Sequence, residues 1–332
     1  MMVIAEYGRD DLAKVYVARM RDENGQYDAR RHTIEFVESL QPPHPRQEKW
    51  VVIVSSLFGC PVSCMFCDAG GAYAGRLTAD EMLEQVEYLA RKRFPDGKVA
   101  TGKFKVQFAR MGEPSLNPAV LDAMERLPRI YDSGILHVSL STVAPSLAGA
   151  RRFFERLIEV KNRHYTGGRF QLQFSVHTTG TEERDRLMPV KKWSLDEIAQ
   201  YGRRFASPEN GDRKVTLNFA PVSGYPIDTK MLRKTFDPEI FLIKLTPLNP
   251  TVSARESALK SSIDPGDSRT SDEIVRSFEK DGYEVILSIG ELEENRIGSN
   301  CGQFVQKALG ARVMPKDSYE LGHYKADDRR II

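Results

Sequence analysis

The sequence predicts an α/β protein: a partial, open (βα)6 TIM-like barrel with a short N-terminal extension. Three observations carry this expectation. Short apolar runs rich in β-branched and aromatic residues alternate with stretches of helical periodicity. About six such pairs follow residue 49, too few for an eight-fold barrel but enough for an open one. Residues capable of chemistry fall just after the apolar runs, where sheets of parallel strands keep their active sites.

Taken in order, residues 1–48 form an accessory segment. Within it "DDLAKVYVARMRD" suits a short helix or a strand, "RHTIEFVESL" suits a strand, and "QPPHPRQ" ends it. "WVVIVSS" (Trp50–Ser56) opens the core, whose span is 49–308, and a cysteine-rich loop follows it. "TADEMLEQVEYLARKRF" is a helix, because Thr78 can cap it, Glu81 stands three residues on, and an apolar stripe recurs with the helical period. The strands "KFKVQFA", "LHVSLST", "FQLQFSVH", "KVTLNFA", "IFLIKLT" and "YEVILSI" then alternate with helical "NPAVLDAMERL", "SLAGARRFFERLIEVK", "SLDEIAQYGRRF" and "SDEIVRSFEKDG". This order indicates βαβ units and a parallel sheet. Residues 309–332 are left as a C-terminal tail, and neither an internal repeat nor a low-complexity tract is present.

Composition narrows the function classes. Hydrophobic residues make up 41% and charged residues 28% of the 332-residue chain, the balance of a soluble enzyme. Lys plus Arg less Asp plus Glu is 48 − 46 = +2, which by itself does not announce a nucleic-acid binder. Basic clusters such as Arg91–Arg93 and Arg203–Arg204 read as solvated faces. No apolar run approaches the roughly 18–20 residues of a membrane span, and "MMVIAEYGRDDLAKVY" lacks the pattern of a secretory leader. The expected location is the cytoplasm, where thiols stay reduced and a cysteine cluster points to metal binding or catalysis rather than disulfides.

Three of the four cysteines fall in "GCPVSCMFC": Cys60, Cys64 and Cys67, spaced Cys-x3-Cys-x2-Cys. Three thiolates on one loop can hold three irons of a [4Fe–4S] cluster and leave the fourth open to a small molecule. Structural zinc is the alternative, but it typically takes two cysteine pairs, and only Cys301 remains to complete such a set. A grouping of buried thiols without function is a further alternative.

"CPVSCMFC", with Phe66 as its aromatic, resembles the cluster motif of the radical S-adenosylmethionine (SAM) enzymes. The resemblance narrows to the RlmN/Cfr enzymes, which methylate adenine carbons in RNA. "SSLFGCPVSCMFC", "RMGEPSLN", "SLSTVAP", "FSVHTTGTEERDRLMPVKK", "LTPLNP" and "NCGQF" occur in that family's order, from about Val51 to Gln306. The resemblance implies a barrel of the radical SAM type, a [4Fe–4S] cluster, SAM as cosubstrate and an external electron donor such as flavodoxin or ferredoxin. It implies SAM contacts at Gly112 and Glu113 of "RMGEP", at Ser141, at Ser175, Val176 and His177, and at Asn249. It implies that Cys301 accepts a methyl group from one SAM, and that a radical from a second SAM then delivers that carbon to the substrate.

The chain departs from the family at two places. The family's second cysteine stands seven residues before the cluster loop, where this chain has Ile53, and the N-terminal segment is shorter. A glutamate that takes the substrate proton in the family corresponds to Glu35 or Glu38 of "IEFVESL"; Glu35 is the candidate. The expected partners are therefore SAM, an RNA or small-molecule substrate, the electron donor, and no membrane. Two further readings compete: direct action of the deoxyadenosyl radical on a small molecule without a methyl relay, and a metal-containing RNA-binding module.

Overall fold

The computed structural model describes residues 1–22, 25–27, 33–147 and 149–326. In chain order the elements are strands β1 (Met2–Gly8), β2 (Ala13–Arg19), β3 (Thr33–Ser39), β4 (Trp50–Val54), β5 (Leu57–Cys60) and β6 (Gly71–Arg76), then helix α1 (Ala79–Arg93). There follow β7 (Phe104–Phe108), α2 (Ala119–Ile130), β8 (Leu136–Thr142), α3 (Ala150–His164), β9 (Phe170–Ser175), α4 (Thr181–Leu187) and α5 (Leu195–Phe205). The chain continues through β10 (Val215–Phe219), α6 (Thr229–Thr235), β11 (Phe241–Leu245), α7 (Val252–Glu256), α8 (Arg269–Lys280) and β12 (Val285–Leu287), and closes with α9 (Leu292–Ile297), α10 (Val305–Leu309) and α11 (Leu321–Tyr324).

Ten strands form one sheet in the order β1-β2-β3-β4-β7-β8-β9-β10-β11-β12. From β4 to β12 every pairing is parallel, as the βα alternation requires, whereas β1 to β4 run antiparallel. The accessory segment is thus a meander that lengthens the barrel sheet. Strand alternation divides the side chains. Phe104, Val106 and Phe108 of β7, like Leu136, Val138 and Leu140 of β8, join the large core beneath the helices. The intervening residues, Lys105 and Gln107 among them, therefore face the concave side.

Where β1–β3 pass beyond the barrel, their concave face would be open. Ile297, Val305, Tyr319, Leu321 and Tyr324 from the end of the chain cover it, packing on Val15, Val17 and Val37. Residues 309–326 of the expected tail belong to this cover, and residues 327–332 lie outside the described residues. Helix α1 carries the expected capping box, Thr78 with Glu81. Among the described residues, no helix is long and apolar enough to cross a membrane.

Candidate active site

The cysteine loop leaves the barrel through the β5–β6 hairpin. Gly59 takes φ +72°, and a Cβ there would sit 2.8 Å from the Gly71 carbonyl oxygen, so a side chain is excluded at this turn. Short backbone bonds shape the loop: Cys60 N–H donates to the Ala69 carbonyl at 2.9 Å and Cys67 N–H to the Cys64 carbonyl at 3.0 Å. Asp68 fixes it from outside, its carboxylate accepting from Val252 N–H (3.1 Å), Ser253 N–H (2.8 Å) and the Tyr319 hydroxyl. Thr251 Oγ1 donates to the Phe66 carbonyl at 3.0 Å.

Cys60, Cys64 and Cys67 are free thiols, partly buried, within electrostatic reach of one another. Burial pushes the Cys60 thiol up to about 11 and holds Cys64 and Cys67 higher, where neighbouring sulfurs add to the effect, as Glu113 does at Cys60 and Cys64. Such a trio ionises only against a strong positive charge, which iron supplies. Among the described residues no three Cys, His, Asp or Glu side chains converge where one ion could sit.

Beside this loop stands Glu113, fully desolvated, and burial raises its pKa. Its Oε1 accepts from Ser115 N–H (3.1 Å), Ser115 Oγ (2.7 Å) and Thr142 Oγ1 (2.5 Å), and its Oε2 from Val143 N–H at 2.9 Å. The preceding Gly112 has φ +99°, and a Cβ would lie 2.5 Å from that of Leu57. Ser141 and Ser175 end their strands on the concave side, with Gln173 Nε2 donating to Ser141 Oγ at 3.3 Å. Val176 is buried, its N–H bonded to the Asn218 carbonyl at 2.9 Å. His177 is strained at φ +65°; its Nδ1 accepts from Ala220 N–H at 3.0 Å, and burial pulls its pKa down to about 3. The imidazole is thus neutral with its proton on Nε2, and it meets Phe66 edge-on at 4.8 Å.

Cys301 is exposed, and desolvation raises its thiol pKa while Lys244 and Arg110 oppose that rise. Its loop is joined to the cysteine loop, because Asp68 N–H donates to the Gly302 carbonyl at 2.7 Å. Cys64 and Cys67 both sense Cys301 electrostatically. Asn249, expected among the SAM contacts, donates through Nδ2 to the Cys301 carbonyl at 2.9 Å.

Glu35 is placed differently from an accessible proton acceptor. Its carboxylate is fully buried and pairs with Arg110 Nη2 at 3.0 Å, while Val305 and Gln306 N–H groups donate to it at 3.1 and 2.8 Å. The same guanidinium donates to the carbonyls of Gly298 (2.9 Å), Ser299 (3.2 Å) and Asn300 (3.2 Å). Glu35 and Arg110 therefore hold the Cys301 loop from both sides. Glu38 is occupied elsewhere, by Arg93, Tyr16 and Trp50. Ile53, half-buried on β4, pairs with Val37 and packs on the apolar cover.

Arg110, Asp68 and Lys244 are the residues that motif reading misses. Only Lys244 leaves a sequence signal, a lone cation inside the apolar strand "FLIKL".

Comparison with known proteins agrees with this geometry. Residues 54–211 match the radical SAM superfamily. The dual-specificity RNA methyltransferase RlmN of Halorhodospira halophila is 27% identical over 320 residues, covering 94% of this chain and 78% of its own length. The probable RlmN of Mycolicibacterium vanbaalenii is 29% identical over 276 residues, covering 80% of this chain and 69% of its own. A radical SAM methyltransferase from Sphaerobacter thermophilus shares the fold with a TM-score of 0.64 at 23% identity, over 91% of this chain and 80% of that one. A spore photoproduct lyase mutant shares it more distantly, with a TM-score of 0.51 at 12% identity over 71% and 76%.

Fold and family match make the chain similar to radical SAM enzymes, with a partial barrel and a cysteine loop at the carboxyl end of the first parallel strand. Among such enzymes the chain is similar to the RlmN methyltransferases over most of its length.

Proposed function

We propose that this enzyme holds a [4Fe–4S] cluster through Cys60, Cys64 and Cys67, binds SAM beside Glu113, and passes a one-carbon unit through Cys301 to an sp2 carbon. The acceptor is an RNA adenine or a nucleotide-like or other small molecule. The observation that carries the reading is the union of the two cysteine loops, in which the Asp68–Gly302 hydrogen bond sets Cys301 beside the cluster-loop thiols.

When bound, the cluster supplies the electron that splits SAM into methionine and a deoxyadenosyl radical. The protein's own tasks follow from the geometry. Glu113 Oε2 carries one described hydrogen bond and retains a lone pair for the SAM ammonium. His177 can donate only through Nε2, which suits an acceptor on the sugar or adenine of SAM. Ser141 and Ser175 offer hydroxyls on the same rim. Cys301 takes a methyl from SAM as sulfur displaces S-adenosylhomocysteine and the thiol proton is lost. Lys244 and Arg110 favour that ionisation against the effect of burial.

Anaerobically reconstituted enzyme incubated with methyl-labelled SAM tests this directly. The peptide carrying Cys301 gains one labelled methyl; an unlabelled peptide under turnover rejects transfer through that thiol. A second reading has the radical act on substrate without the relay. Ile53 favours it, since no thiol on β4 can release a covalent adduct and all four cysteines of the chain are otherwise placed.

A further inference from the structure

Beyond β12 the chain crosses to the antiparallel strands and runs through α9 into the Cys301 loop. Ile297 of α9 packs with Val15, Val17 and Val37, and Ser39 Oγ of β3 donates to Glu294 Oε1 at 3.2 Å. The Glu294 carbonyl accepts from Gly298 N–H (2.9 Å), Ser299 N–H (3.0 Å) and Ser299 Oγ (3.2 Å), so the turn that leads to Cys301 is anchored on Glu294. Asn300, the residue before Cys301, donates through Nδ2 to Asn295 Oδ1 at 2.9 Å. These bonds fix which end of each side chain stays open. Among the described residues, no hydrogen bond reaches Glu294 Oε2 or Asn300 Oδ1, although both residues are half-buried. The two open oxygens flank Gly290. A Cβ there would stand 3.2 Å from Glu294 Oε2 and 3.5 Å from Asn300 Oδ1, with no other atom beyond the chain neighbours within 4 Å. Gly290 is exposed and lies outside the left-handed region, so its backbone does not call for glycine. What its missing side chain does is leave the two oxygens uncovered. Acceptors partly withdrawn from water and lacking a donor are costly, and a donor group relieves both.

We infer that Glu294 and Asn300, across the bare face of Gly290, form a specificity site for an amino group of the substrate. The inference rests on the reading that Cys301 meets the substrate, and it deepens that reading by naming a group the substrate carries. A carboxylate oxygen and an amide oxygen both accept and cannot donate, so together they match a group with two or more N–H bonds and refuse a carbonyl or ether oxygen in its place. The carboxylate strengthens the bond to a polarised or charged amine. An exocyclic amine on an aromatic ring and an aliphatic ammonium share this chemistry. Burial raises the Glu294 carboxyl to about 7, helped by Glu291 and opposed by the Ser39 and Ser299 hydroxyls, in line with a carboxylate whose donor is missing.

Equilibrium binding of paired probes to the cluster-reconstituted enzyme tests the inference, with S-adenosylhomocysteine in excess to keep them out of the SAM site. One pair is adenosine and purine riboside, which lacks the amino group; the other is benzylamine and benzyl alcohol. Glu294→Gln keeps the side chain's shape and removes its charge, Gly290→Ala covers the two oxygens, and Glu291→Gln changes an exposed neighbouring acid as control. Wild type prefers the amino member of one pair about tenfold or more, the worth of one charge-assisted hydrogen bond. Glu294→Gln and Gly290→Ala each abolish that preference, and the control keeps it. Preference within the adenosine pair identifies a nucleobase amine, and preference within the benzylamine pair an aliphatic one. An adenine oligonucleotide that binds more tightly than adenosine, with the same loss in both variants, places that amine on RNA. Wild type that binds neither amino probe more tightly than its partner overturns the inference, as does a preference unchanged in Glu294→Gln and Gly290→Ala. Binding is read without turnover, so a failure here is separable from a failure of methyl transfer to Cys301.

Discussion

Arg110→Met removes the residue that ties the Cys301 loop to the barrel. In the native protein the guanidinium is enclosed between Glu35 and the carbonyls of Gly298, Ser299 and Asn300, with the Phe304 ring 4.5 Å away. Glu35 in turn accepts the first two N–H groups of α10. Deleting one partner of a buried ion pair costs about 3–5 kcal/mol, because the other charge is left without compensation. For a chain of this length that corresponds to a fall of roughly 4–7 °C in Tm. The disturbance is local, so hydrogen exchange of residues 298–306 should accelerate more than exchange in β7 or β8. Thermal unfolding together with hydrogen exchange measures both effects. A variant that melts within about 1 °C of wild type, with unchanged protection at Val305 and Gln306, refutes the clamp.

Gly112→Ala forces a Cβ into Leu57 at a positive φ; it should cost about 1–3 kcal/mol and displace Glu113, read as lost SAM binding in a folded protein. Lys105→Met should stabilise the enzyme, with a pH signature. The native lysine titrates at about 7 against 10.5 when unfolded, among Lys244, Lys103, Lys49 and Arg213 and in register with His137, so the unfolded chain holds the extra proton between those values. Wild-type stability rises with pH through that window, and the variant's advantage shrinks from about 5 kcal/mol at pH 6 to about 2 kcal/mol at pH 9; chemical denaturation across pH checks it, and a constant difference contradicts it. Cys301→Ala separates the two mechanistic readings: under the relay, SAM cleavage continues and methylated product vanishes, whereas under direct radical action product persists.

The barrel strands were legible because each buries a core face under helices and ends in a turn, and α1 because its capping residues are local. β2 was ambiguous, since apolar residues occupy both its faces: Tyr16 and Ala18 meet the helix layer, while Val15 and Val17 meet the C-terminal cover. The β5–β6 hairpin left no pattern because β6, "GAYAGR", is mostly exposed. The cysteine loop was legible because ligand spacing is a local property. The clamp was not, since Glu35, Arg110 and Gly298 meet only across 75 and 188 residues of chain. Asn249 shows the same limit: its segment was recognisable, but its bond to the Cys301 carbonyl depends on where a distant loop docks.

The central claim is that three thiolates hold a cluster with one corner left for SAM. Electron paramagnetic resonance of the anaerobically reconstituted, reduced enzyme, with iron and sulfide counted on the same sample, tests it most directly. The account predicts about four irons per chain and a signal that shifts when SAM is added, both lost when Cys60, Cys64 or Cys67 is changed to Ala. A single bound zinc without sulfide, or a cluster signal indifferent to SAM, would contradict it.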